Sequence, residues 1–199
     1  MTTGVRRAIT ALAALIAAAA SCTPPVAAAD WGVEQLMQAL GEVKSSTARF
    51  VERKHVTILN APLESSGTLV YAAPGKLEKH TVAPKAESLV LDGDRLTIEN
   101  KAQDQRRTFA LQEQPVIWAF VEGIRSTLAG DLATLTRFYR VGLEGYERRW
   151  RLTLKPSEPR MLDVVSEIRI SGDRNWINAI EIIETDGDRS VMTITRDAP

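Results

Sequence analysis

Cysteine is almost absent from this chain, histidine occurs twice, and neither sign of charge is in surplus; each shortage closes off a class of function. The one cysteine, Cys22, falls in the leader described below, so the rest of the chain can form no disulfide framework and no cysteine-based metal site. Both histidines, His55 and His80, fall on polar strand faces with no further ligands at metal-like spacing, and they read as surface residues rather than a base or a metal pair. Acidic and basic residues balance at 25 each and no long basic run appears. A nucleic-acid partner, which needs a cationic footprint, is excluded on that ground. The one unbroken apolar run, residues 8–20 apart from Thr10, has about thirteen residues where a membrane-spanning helix needs ~20.

Catalytic signatures are equally scarce. Ser65 and Ser66 sit in Glu-Ser-Ser-Gly, which is not a nucleophile elbow. Asp92-Gly93-Asp94 and Asp186-Gly187-Asp188 lack the further oxygens of a calcium loop and read as hairpin turns. No pair of carboxylates stands apart as a glycosidase dyad. The chain therefore reads as a binding protein and not an enzyme, with no cofactor and no metal.

What is present begins with an address. Arg6 and Arg7, the apolar run, and Ala27-Ala28-Ala29 follow the order of a secretory signal peptide over residues 1–29. Residues 30–199 are then one exported domain, expected in the periplasm and as a monomer, with enough chain for a real core. Cys22, after Ala19-Ala20-Ser21, resembles a degenerate lipobox, and a lipid anchor there is the lesser alternative.

The mature chain opens with an amphipathic helix. Asp30 is its expected cap, and Val33, Leu36 or Met37, Leu40 and Val43 recur at helical spacing. The period then changes to two. Over residues 48–59, Phe50, Val56 and Ile58 fall on one side, with Glu52 and Lys54 interrupting it as a bulge or polar patch. Further strands are expected over 63–72, 76–82, 88–94, 94–100 and 106–111, with Asp92-Gly93 as a hairpin signal. A helix starts at Pro115 and carries Ile117, Phe120 or Val121, Ile124 and Leu128 as an apolar stripe, with Glu122, Arg125 and Ser126 opposite. Gly130 ends it, and Asp131 caps a shorter helix. Alternation resumes through Tyr139–Val141–Leu143 and Trp150–Leu152–Leu154, then near 164–171, 176–185 and 189–196. About eleven strands and three helices result. Strands with one polar face form an antiparallel sheet wetted on one side. A few short helices cover so wide a sheet only if it curves, so the fold class is mainly β, a half-open antiparallel barrel with helices over its mouth. Pattern alone leaves open whether its interior is packed or hollow.

The segments Ala48-Arg49-Phe50-Val51-Glu52-Arg53-Lys54, Leu63-Glu64-Ser65-Ser66-Gly67-Thr68-Leu69-Val70-Tyr71, Pro74-Gly75-Lys76-Leu77 and Leu89-Val90-Leu91-Asp92-Gly93, in that order, resemble the periplasmic outer-membrane lipoprotein carrier (LolA-like) family. The resemblance covers most of the mature chain. It implies an unclosed eleven-stranded barrel with a helical lid over a hydrophobic cavity. It also implies acyl chains of lipoproteins or other lipid as cargo, an inner-membrane transporter as donor and an outer-membrane acceptor. Two positions depart from the family pattern: Ala73 stands where carriers place an Arg that ties lid to barrel, and Lys79 where an aromatic is usual. They mark a divergent branch, for which glycolipid or polyene lipid is a further candidate cargo. The candidate lining is Phe50, Leu69, Tyr71, Leu77, Leu89, Leu91, Leu96, Ile98 and Phe109 from the strands, with Trp118, Phe120, Val121 and Ile124 from the lid; the same residues could serve simply as core. The alternative function is a regulatory module that senses envelope lipid or lipoprotein.

Overall fold

The computed structural model describes residues 31–196. The leader, Cys22 and Asp30 lie outside the described residues.

Helix α1 spans Val33–Gly41. Its cap is Gly32, whose backbone N–H donates to Gln35 Oε1 at 3.0 Å, a capping group supplied from inside the helix. Leu36, Met37 and Leu40 are its buried face, as their spacing dictates. Six strands follow: β1 (Ser45–His55), β2 (Leu63–Ala72), β3 (Lys76–Ala83), β4 (Glu87–Asp92), β5 (Arg95–Asn100) and β6 (Gln105–Ala110). Strand β1 ends at His55, and Ile58, expected on its inner face, is 89% exposed in the loop beyond. The turn between β4 and β5 has Gly93 at φ +56°, a conformation open to glycine at little cost.

Helix α2 (Pro115–Ala129) begins with proline in its first turn and ends at Gly130, φ +71°. Helix α3 (Leu132–Phe138) is capped by Asp131, whose Oδ1 accepts from Thr134 N at 2.9 Å. The remaining strands are β7 (Tyr139–Tyr146), β8 (Arg149–Pro156), β9 (Val165–Asp173), β10 (Trp176–Glu184) and β11 (Arg189–Arg196), with a one-turn helix α4 (Pro159–Leu162) between β8 and β9.

All eleven strands join one antiparallel sheet in the order β6-β5-β4-β3-β2-β1-β11-β10-β9-β8-β7. Both halves are meanders, and the first strand pairs with the last: Phe50 faces Ile194 and Glu52 faces Met192. The ladder ends at β6 and β7, so the barrel does not close.

The two halves are filled differently. Under β7–β11, Leu36 of α1 and Leu135 of α3 cluster with Tyr139, Leu152, Leu154, Ile168 and Ile170 of the strands, all at 0–1% exposure. Each such side chain contributes roughly 1.5–3 kcal/mol by burial. Under β2–β5 the buried cluster shrinks to Leu91, Leu96 and Leu111, and Leu77, Leu89 and Ile98 around it are only partly buried. Concave-face leucines left half-covered are the mark of space beneath them.

Candidate functional site

That space is a hollow of about 390 Å³ between helix α2 and the concave face of the sheet. The volume falls in the roughly 300–1,000 Å³ range of small-molecule pockets. Helix α1 contributes Leu40 and Val43; α2 contributes Ile117, Phe120, Val121, Ile124 and Leu128. The strands supply Leu69, Tyr71, Leu77, Leu89, Leu91 and Leu96 from one half and Ile170, Ile180, Ile182, Met192 and Ile194 from the other.

Helix α2 can cover a hollow because it is packed on its other side. Its small residues there, Ala119, Gly123 and Ser126, are buried. The Tyr139 hydroxyl donates to Ala119 O at 3.0 Å, and a Cβ at Gly123 would lie 2.7 Å from the Tyr139 ring. At the helix end, a Cβ on Gly130 would strike Met37 O at 2.2 Å. Glu122 and Ser126, expected on a solvated face, are therefore inside, at 6% and 3% exposure. The polar side of this helix is a contact surface for Tyr139 and its neighbours and not a face toward water.

Arg125 straps α2 to the barrel rim. It pairs with the buried Glu122 carboxylate, and its Nη1 donates to Gly93 O in the β4–β5 turn at 3.2 Å. A Cβ at Gly75, in the β2–β3 turn, would meet Arg125 Cδ at 2.8 Å. Where the family pattern places the tie at the position of Ala73, this chain runs it from the helix.

Of the residues expected to line a cavity, the structure brings together Leu69, Tyr71, Leu77, Leu89, Leu91, Leu96, Phe120, Val121 and Ile124. Four stand apart. Phe50 is 2% exposed with the Lys79 ammonium 5.0 Å from its ring centre, so it is covered. Trp118 makes an edge-on contact with Phe138 at 5.2 Å and packs into both core clusters. Ile98 packs on the Leu91 cluster, and Phe109, opposite Leu96 on β6, is outside the hollow's lining.

Sequence reasoning put Glu52 on the apolar side of β1 but missed its partner Lys79 and the second wall of the lining. Ile180 and Ile182 alternate on β10, and Met192 and Ile194 on β11, with the same period that marked β2–β5. Glu52 and Lys79 line the hollow as well. Lys79 Nζ donates to Glu52 Oε2 at 2.5 Å, and Ser190 Oγ donates to Glu52 Oε1 at 2.6 Å. Burial alone would push the Glu52 carboxyl up, but hydrogen bonds from Lys79 and Ser190 outweigh it and hold it below the ordinary carboxylate value. Tyr71 is 4% exposed, and its hydroxyl is buried with no hydrogen-bond partner. Burial pushes that phenol's pKa up.

The other candidates do not assemble a site. His80 pairs with Glu78 at 2.6 Å. His80 sits across from Thr68, itself across from Arg49, so His55 is six residues further along the ladder, roughly 20 Å away. The carboxylates of Glu184, Asp186 and Asp188 lie close together. Lys54 already occupies the cluster, 2.8 Å from Glu184 and 4.0 Å from Asp188, and Asp188 Oδ1 also accepts from Thr57 N at 2.9 Å. No helix among the described residues is long and apolar enough to cross a membrane.

The chain is similar to known proteins over most of its length. The family described as "Outer membrane lipoprotein carrier protein LolA-like" matches residues 22–198. An outer-membrane lipoprotein carrier protein of Pseudomonas entomophila is 24% identical over 162 residues, covering 79% of this chain and 73% of the relative. One from Pseudomonas putida is 24% identical over 180 residues, covering 88% and 82%. Among solved structures, a LolA superfamily protein from Nitrosomonas europaea shares 11% identity at a TM-score of 0.45, covering 84% of this chain and 94% of that one. The MucA/MucB complex of Pseudomonas aeruginosa shares 14% at 0.45, covering 84% and 58%. The family match spans nearly the whole chain and meets a half-open barrel with an apolar hollow: this protein belongs to the LolA-like outer-membrane lipoprotein carrier family.

Proposed function

We propose that the protein is an exported periplasmic carrier that shelters acyl chains of lipoproteins or other lipids in this hollow and moves them from inner to outer membrane. The observation that carries the reading is the apolar space of about 390 Å³ beneath α2. Burying hydrocarbon is worth about 0.8 kcal/mol per CH₂. A sixteen-carbon chain thus favours such a site over water by on the order of 10 kcal/mol and does not cross an aqueous gap unaided. A carrier must recover most of that energy yet release its cargo to an acceptor. A mostly apolar lining beneath helix α2, which Arg125 holds at the rim, suits both demands. Binding and release of this kind call for no catalytic group. The leader at residues 1–29 supports export to the compartment where such a gap exists.

Native mass spectrometry of protein purified from its own host tests the reading. The wild type is expected to carry lipid, and Phe120→Glu, which sets a charge into the hollow, to lose it with the fold intact. Lipid-free wild-type protein that also ignores acyl probes would sink the proposal. Trp118→Glu is unsuited to this test, because Trp118 packs into both core clusters and its loss damages the fold itself.

A further inference from the structure

The sheet has two open ends, and they differ in charge. Edge strand β6 carries Arg106 and Arg107 and no acidic residue, so two copies of it repel. Edge strand β7 has no such guard: it holds no lysine or proline and pairs only with β8. Its exposed row is Arg140, Gly142 and Glu144, and its inner row is Tyr139, Val141 and Leu143.

The β7–β8 register fixes which backbone groups point off this edge. Opposed residues of an antiparallel pair alternate between exchanging hydrogen bonds and turning those groups outward. Ser157 N donates to Phe138 O at 2.8 Å, and Pro156, which has no N–H, lies opposite Tyr139. Arg140, Gly142 and Glu144, in step with Phe138, therefore bond to β8, while Val141 and Leu143 aim N–H and C=O at the open side. Tyr139 also faces outward, but its N–H is taken by Leu135 O.

These positions are self-complementary about Gly142. When a second β7 runs antiparallel with Gly142 on the two-fold axis, Val141 of each copy meets the partner's Leu143 and exchanges both backbone bonds. On the convex face Arg140 of each copy meets the partner's Glu144. Those are the non-hydrogen-bonded positions, where opposed side chains come closest. A register centred on Val141 sets Arg140 against the partner's Gly142, and one centred on Leu143 sets it against the partner's Tyr146. Within its own chain Arg140 lies opposite Lys155, a like charge, and makes no ion pair among the described residues. A Cβ on Gly142 would meet nothing within 4 Å. No contact in its own chain calls for glycine there, and glycine inside a strand often marks the approach of another backbone.

We infer that two copies of the protein join edge to edge through β7. The pair is isologous, carries one sheet through both copies and sets both concave faces on the same side. A foreign strand would need base and acid four residues apart in matching register; β7 supplies them itself. The pairing takes the place of the monomer that the sequence suggests, and it does not depend on what the hollow holds.

Sedimentation equilibrium of the processed protein tests it. Wild type is expected to dimerise at micromolar concentrations. Arg140→Glu sets acid against acid at both ends of the seam and Glu144→Arg sets base against base, so each weakens the dimer at least about tenfold. An equimolar mixture of the two variants restores every opposite-charge pair and is expected to form a mixed dimer of wild-type affinity, which also shows that both variants are folded. Gly142→Cys puts two thiols on the axis with Cα atoms about 4.5 Å apart, within disulfide reach. Oxidation then links the dimer covalently, whereas Arg140→Cys, facing the partner's Glu144, stays unlinked. A monomeric wild type overturns the inference, as does a dimer that ignores both reversals or variants that do not recombine. Cross-linking at Arg140→Cys in place of Gly142→Cys overturns the register and, with it, the charge match that carries the inference.

Discussion

Glu52 and Lys79 form an ion pair inside an apolar site, which makes each dependent on the other. Their side chains are 18% and 29% exposed, so desolvation is real but incomplete. Removing Lys79 alone strands the carboxylate, at a cost of about 1–3 kcal/mol, whereas replacing both by neutral residues of similar size is close to neutral. The pair also sets a pH dependence. Glu52 is held below its ordinary value of 4.5. Its contribution to stability is therefore complete above that value and is lost as pH falls through the lower folded-state one. Melting followed by circular dichroism should show the midpoint falling as pH drops below about 4.5, with a shallower fall in Glu52→Gln. Asp188, held low chiefly by the Thr57 N–H, adds to the same acid limb. At this scale the sequence was half legible. Glu52 stands out on β1 as a charge on an apolar face, but its partner lies 27 residues away on β3, and only the register of three strands brings them together.

Helix α2 is the element on which the site turns, and its two sides do different work. Bulky residues face the hollow, while Ala119 and Gly123 let Tyr139 approach closely enough to bond the helix backbone. Gly123→Ala would normally strengthen a helix by up to ~1 kcal/mol. Here the added Cβ meets the Tyr139 ring at 2.7 Å, and overpacking costs about 1–3 kcal/mol. A net loss of stability in urea is the expected outcome; a gain would show that the contact yields easily. The boundaries of α2 were readable from Pro115 and Gly130, because proline and glycine act through backbone geometry alone. Which face is buried was not readable. Glu122 and Ser126 look solvated on a helical wheel, and only the position of Tyr139, contributed by a later strand, reverses that. The same limit explains Trp118: its size suggested a lining residue, but Phe138 of the next helix claims it.

At the scale of the whole molecule, period-two alternation was enough to count the strands, since each strand carries its own pattern. It could not give the sheet order, in which β1 lies beside β11, nor show that packing is dense under one half and loose under the other. Those features belong to pairs of elements far apart in sequence. The central seam is the β1–β11 ladder, running from Ala48↔Arg196 to His55↔Arg189. A chain truncated after β10 is expected to lose cooperative melting and to bind the hydrophobic dye ANS, because β1 and β10 would become open edges over an uncovered apolar face. A cooperative, dye-silent truncation would show that the two halves stand independently.

This seam also orders events in time. Synthesis delivers β1 among the first strands and its partner last, so about 140 residues of greasy-faced meander must wait before the sheet can be joined. Until the final strand arrives, the apolar face that later lines the hollow stands open to water.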